Sequence, residues 1–151
     1  MAIWAAWLES SLADLVSNLL DGTVGSGEIV TGDMMASKLI ELSRKLLKNE
    51  YAKIPLDLQE NTSDALTKAS AALRQRNQIL HGLVGGTFIP GSTAFHDRKR
   101  PGNAYLHTAE ELDLMGERLH ASMEEIYDCS WEIRQYLGDS EIVGSGEAHD
   151  L

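Results

Sequence analysis

An all-α fold, a four-helix bundle, is predicted by three features of the sequence. Amphipathic runs such as SSLADLVSNLL and LIELSRKLLK recur along the chain, and only three prolines interrupt 151 residues. Phenylalanine occurs only twice, which with the helical runs argues against a sandwich or barrel of many short strands. A chain of this length, with 43% hydrophobic residues, can bury one real core. We assign residues 1–138 to the bundle and 139–151, an acidic stretch containing glycine, to a flexible tail.

The first helix is expected from about Ile3 to Leu20, where Trp4, Leu8, Leu12, Leu15 and Leu19 recur at spacings of three and four. Asp21-Gly22 ends it. The segment from Thr23 to Thr31 is rich in glycine but lacks the Lys-Ser/Thr pair of a Walker-type phosphate loop, so it reads as a linker. Asp33 is placed to cap a second helix from Met34 to about Tyr51, with Met35, Leu39, Leu42 and Leu46 on its apolar face and Ile54-Pro55 marking its end. The third helix is expected from about Asn61 to Leu80 or His81, with Gly82 as its stop.

From Leu83 to His107 the helical period is lost among Gly85-Gly86, Pro90-Gly91 and Pro101-Gly102. This predicts a long irregular loop or a short hairpin between helices 3 and 4. Thr108 and Glu111 then form a capping box for the fourth helix. That helix carries Leu112, Met115, Leu119, Met123, Ile126, Ile133 and Leu137 on one stripe and stops at Gly138. Trp4, Trp7, Leu12 and the methionines fall at the spacing burial demands and read as core or dimer packing. Phe88, Phe95 and Tyr105 read as anchors of the connection onto the bundle, with stacking on unpaired bases as the alternative.

The apolar run Ile3 to Leu8 is too short to span a bilayer, is stopped by Glu9, and has no basic residue before it. The chain is therefore expected to be soluble and cytoplasmic, with no membrane partner. Its single cysteine, Cys129, cannot form an internal disulfide, in keeping with a reducing compartment. Near the inward face of the fourth helix, that thiol reads as a small buried hydrophobe rather than a nucleophile.

The formal charge of −10 argues against nucleic acid as a partner, but its distribution does not. Residues 67–108 hold six basic residues, Lys68, Arg74, Arg76, Arg98, Lys99 and Arg100, against Asp97 alone, together with His81, His96 and His107. An acidic body with one basic segment focuses anions onto that segment. Arg74, Arg98, Lys99 and Arg100 are RNA-contact candidates from charge alone, and a solvated basic loop is the alternative reading of the triplet.

One local violation of pattern stands out. The stripe Leu66, Ala69, Leu73 on the third helix places the next inward residues at 76 or 77 and then 80. Leu80 obeys, whereas Arg76 and Asn77 put a charge and an amide where a core residue belongs, which is costly unless they are paired or share a polar cavity. Asn77 and His81 are four apart and share a helix face, as do Arg74 and Asn77 at three apart. Arg76 and His81 point about 140° apart on an ideal helix, so the length of arginine or unwinding at Gly82 is needed to bring them together. Histidine exchanges protons near neutral pH, and a guanidinium presents planar donors to a phosphate oxygen. Together they supply what phosphodiester cleavage without a metal requires. His96, His107, His120 and His149 show no metal-ligand spacing.

The stretch Arg76-Asn77-Gln78-Ile79-Leu80-His81-Gly82 resembles the R-x4-6-H signature of the HEPN superfamily in its R-N-x-x-x-H form. Arg74 to His81 and Arg100 to His107 also satisfy the looser spacing; Asn77, the glycine stop and the four-helix layout single out Arg76. The resemblance covers residues 1–138 in architecture and seven residues in motif. It implies a helical-bundle homodimer with a composite, metal-independent ribonuclease site and no cofactor. Many members are toxins of toxin-antitoxin or abortive-infection systems. By that resemblance, Arg76 would bind and polarise the phosphate, His81 would act as general acid or base, and Asn77 would support their geometry. Attack by the ribose 2′-OH would leave a cyclic phosphate. The other reading is a non-catalytic HEPN-like interaction module that binds an antitoxin or a nucleotidyltransferase through its acidic fourth helix.

Overall fold

A computed structural model describes residues 2–20, 31, 34–49, 53–80, 82–85, 92–97 and 104–144, with the backbone alone at 80, 82–85, 92–97, 104–106 and 138–144. Among these residues the chain is a four-helix bundle: α1 (Ala2–Leu19), α2 (Ala36–Asn49), α3 (Leu56–Leu80) and α4 (Ala109–Gly144). Between α3 and α4 lie three short strands, β1 (Gly82–Gly85), β2 (Ser92–Asp97) and β3 (Ala104–Thr108), paired as an antiparallel meander with β2 in the centre. The hairpin form of the expected connection is the one adopted, enlarged by a third strand.

Contacts between side chains give the helix directions. Trp4 stacks against His120, and further along both helices the Asn18 amide donates to Ser130 Oγ at 2.8 Å, so α1 and α4 run parallel. Lys68 meets Glu125 and Arg118 meets Gln75, so α3 and α4 run antiparallel. The short connection from Asn49 to Leu56 makes α2 and α3 antiparallel neighbours, with Arg44 Nη2 donating to Thr67 Oγ1 at 3.2 Å. Hence α1 and α2 point the same way. The same directions place the start of α1, the end of α3, the start of α4 and the sheet at one end of the molecule.

The core is the shared interior of the four helices. Leu8, Leu12, Leu15 and Leu19 of α1 are buried as their spacing requires, as are Leu119, Ile126 and Ile133 of α4 and Leu66, Ala69 and Leu73 of α3. Each large side chain so buried contributes about 1.5–3 kcal/mol relative to exposure. Two hydroxyls inside the core are satisfied by their own helices: Ser43 Oγ donates to the Leu39 carbonyl at 2.8 Å and Thr62 Oγ1 to the Leu58 carbonyl at 2.7 Å.

Several boundaries differ from expectation, each for a local reason. The second helix starts at Ala36, because the Met35 carbonyl accepts its first bonds, from Lys38 and Leu39. Met35 therefore caps the helix and is 78% exposed, while the buried face turns to Leu39, Ile40, Ser43 and Leu47. Asp33 lies outside the described residues. The third helix begins at Leu56, five residues earlier than expected, because the Pro55 carbonyl accepts the first helical bond from Gln59 N–H at 3.0 Å. Ile54 and Leu58 are buried there, so packing extends the helix backwards.

The capping box of the fourth helix is present: Thr108 N–H donates to Glu111 Oε2 at 2.9 Å, and Glu111 N–H to Thr108 Oγ1 at 3.1 Å. The helix passes through Gly138, where a stop was expected, and ends at Gly144. A single glycine inside a helix costs only about 1 kcal/mol. Residues 139–144 of the expected tail are thus helical, and 145–151 lie outside the described residues. Trp7, expected in a core or dimer contact, is 58% exposed in the single chain. No helix among the described residues is long and apolar enough to cross a membrane.

Candidate functional site

The last turns of α3 carry the candidate site. Ala72, Leu73 and Ile79 are buried, and Arg76 falls on the same line between them. Of the two inward positions expected there, 76 is the one that faces the bundle. Asn77 is exposed and Arg76 half-buried. Ile79 forms a small cluster with Met115, against which Leu112 packs, so this end of α3 is seated on the start of α4. Gln75 is also tied to α4, accepting from Arg118 Nη1 at 3.4 Å.

The guanidinium is held from outside and unsatisfied inside. Arg76 Nη1 donates to Asn77 Oδ1 at 3.0 Å, whereas the Arg76 Nε–H is buried with no hydrogen-bond partner among the described residues. A buried donor left unpaired costs about 1–3 kcal/mol, and such a group in a native fold calls for an explanation. A guanidinium with one edge committed to an amide and another donor unfilled is prepared to accept an anion through its remaining N–H groups.

The other sequence candidates fall on both sides of what is described. Arg74 is exposed on α3. His81 stands between Leu80, the last residue of α3, and Gly82, the first of β1; it lies outside the described residues, as do Arg98, Lys99 and Arg100 between β2 and β3. Phe88 lies outside them too. Phe95 and Tyr105 are backbone partners across β2 and β3.

Two histidine pairs near this end carry no role in the sequence analysis. His107 Nδ1 is 3.5 Å from Glu111 Oε2, the same carboxylate oxygen that caps α4, so one oxygen fixes both the helix start and the imidazole. His120 stacks on Trp4 with ring centroids 4.2 Å apart and planes inclined by 59°, and its Nε2 is 3.7 Å from Glu124 Oε1. The spacing of four residues signals both His-Glu pairs in the sequence. The Trp4 contact joins distant helices and leaves no local signal.

The electrostatics around α3 and α4 are set by surface pairs. Lys68 Nζ lies 2.9 Å from both carboxylate oxygens of Glu125, and this hydrogen bond raises the lysine pKa. Exposed as it is, the pair fixes the register of the two helices more than their stability. Further into the bundle Cys129 is buried, and burial pushes its thiol pKa up, with a side-chain hydrogen bond between it and Thr62 opposing. Comparison of the chain with family models, with curated proteins and with solved structures returned no match.

Proposed function

We propose that the chain is a metal-independent endoribonuclease of the HEPN type, acting in the cytoplasm as a homodimer in defence or as the toxin of a toxin-antitoxin pair. The observation that carries this reading is Arg76: a half-buried guanidinium on the inward line of α3, braced by Asn77, with a buried donor unfilled. His81, five residues on, supplies the proton-transfer group. A base removes the proton of the ribose 2′-OH, the oxygen attacks phosphorus, and the bond to the 5′ oxygen breaks as that oxygen takes a proton. The products are a cyclic phosphate and a 5′-hydroxyl. Arg76 neutralises charge on the phosphorane oxygens, and a second copy of His81 across the dimer allows one imidazole to act as base and the other as acid. Arg74, Arg98, Lys99 and Arg100 guide the RNA backbone to this end of the bundle.

The test is cleavage of RNA by the purified full chain in the presence of chelator, with Arg76→Ala and His81→Ala as controls. Cleavage by the parent and its loss in both variants is the expected result. Equal cleavage by parent and variants assigns the activity to a contaminant and ends the proposal. No cleavage, with expression that does not arrest growth, would favour the non-catalytic interaction module.

A further inference from the structure

A second surface, formed by α1 and α4 without α3, has its own chemistry. We propose that the groove between α1 and α4 receives a cationic amphipathic helix presented by another protein. Ile3 and Trp7 of α1 and Tyr127 and Trp131 of α4 are 49–61% exposed, an unusual set of large apolar side chains to leave in water on two packed helices. Trp7, Met123 and Tyr127 line the groove, and Asp14, Glu124 and Asp128 line it with them. Neither α1 nor residues 119–133 of α4 contain a lysine or arginine. Glu124 meets only His120, and neither Glu124 nor Asp128 has a Lys or Arg partner among the described residues.

The charge selects the occupant. An apolar floor flanked by carboxylates repels RNA and anionic lipid, whose phosphates require the opposite sign. A second copy of this chain would bring its own carboxylates onto the same face, a like-charge juxtaposition that opposes self-association there. A helix with leucine-type anchors at successive turns and Lys or Arg on its flanks satisfies both the floor and the rim. From Trp7 to Asp14 the groove runs about 10 Å along α1, enough for two turns of such a helix. Trp and Tyr are the residues that most often dominate binding energy at interfaces of this kind.

The inference is independent of the ribonuclease reading, and its test does not use RNA. A fluorescein-labelled helical peptide of leucine and lysine and its leucine-glutamate counterpart are titrated with the full chain, and anisotropy is followed. The lysine peptide is expected to bind and the glutamate peptide not to bind. Trp7→Ala and the double variant Glu124→Lys/Asp128→Lys should each weaken binding about tenfold or more. A control double variant of equal charge on α3, Asp57→Lys/Glu60→Lys, should change it less than about twofold. Circular dichroism verifies that each variant is folded. Equal weakening by the groove and control variants would reduce the effect to net charge and overturn the proposal. Absence of lysine-peptide binding would overturn it as well, as would a parent dimer that Trp7→Ala converts to monomer, since a second copy would then cover the groove.

Discussion

Arg76 Nη1 donates to Asn77 Oδ1 at 3.0 Å, joining two adjacent residues of which one faces the bundle and the other solvent. Sequence neighbours on a helix project about 100° apart, so the bond requires the arginine to fold back across its own helix. An amide that restrains a guanidinium in this way acts on its orientation and not on its charge. Under the ribonuclease reading, Asn77→Ala should reduce cleavage by about tenfold or more, since small misplacements of catalytic groups have large rate effects. The melting temperature should hardly move, Asn77 being exposed. Arg76→Lys should be inactive, because an ammonium cannot present planar paired donors. Rates and thermal melts of the two variants check this, and full activity of Arg76→Lys would contradict it.

The reciprocal bonds between Thr108 and Glu111 close the start of α4 where it leaves the sheet. Replacing the cap residue, Thr108→Ala, should cost about 1 kcal/mol of stability. Glu111→Gln should cost less, as glutamine also serves at the third position of a capping box. It would, however, remove the carboxylate that lies 3.5 Å from His107 Nδ1. Chemical denaturation of the two variants measures both losses, and a Glu111→Gln cost equal to or larger than that of Thr108→Ala would contradict this order.

How much of this was legible in the sequence depends on how local the cause is. The α1 and α4 stripes and the Thr108-Glu111 box follow from spacing alone, and the structure reproduces them. Position 76 was likewise legible, because a break in a period of 3.6 shows in the letters themselves. The start of α3 at Leu56 was not: Leu58 is held by packing with other helices, and Pro55 reads as an ending until its carbonyl is seen to accept a bond. The meander was hidden by its brevity and its turn residues, and the parallel course of α1 and α4 rests on contacts such as Trp4 with His120 that no spacing records. Trp7 shows the opposite limit. It has the spacing of a core residue and lies on the surface, because the bundle covers the face of α1 that carries Leu8, Leu12 and Leu15 and leaves Trp7 58% exposed.

Leu119 and Ile126 are wholly buried where α4 meets the rest of the bundle. Leu119→Ala should destabilise the fold by about 2–5 kcal/mol, the range set by how far neighbouring side chains collapse into the cavity. Ile126→Val, which removes one methylene, should cost about 0.5–1.5 kcal/mol. Equilibrium denaturation measures both, and a loss near zero for Leu119→Ala would contradict its place in the core.

Asn18 reaches across from α1 to α4, donating to Ser130 Oγ at 2.8 Å and to the Ser130 carbonyl at 3.1 Å. Ser130 is buried, and these bonds are the polar link at the far end of two parallel helices. Asn18→Ala leaves the hydroxyl short of a donor in a site water reaches poorly. The expected cost is about 1–2 kcal/mol. Asn18→Ala/Ser130→Ala should recover part of it, since removing both partners leaves no unmatched group, and a double-mutant cycle measures the coupling.

The thiol of Cys129 is driven above its ordinary value of 9.0, first by burial and then by the negative charges of Glu132, Glu125 and Asp128, against the opposing hydrogen bond of Thr62. In the folded chain it therefore remains protonated at pH 8 and should react with Ellman's reagent far more slowly than free cysteine; denaturant should restore the normal rate. The sign of the linkage follows. Above pH 9.0 the unfolded chain loses the proton while the folded chain keeps it, so the unfolded state binds fewer protons and stability falls as pH rises towards the raised value. Cys129→Ala should abolish that alkaline slope. Below pH 7 the thiol is protonated in both states, so its contribution there should not vary with pH, and rapid labelling of the native protein at pH 8 would show that the thiol is neither buried nor shifted.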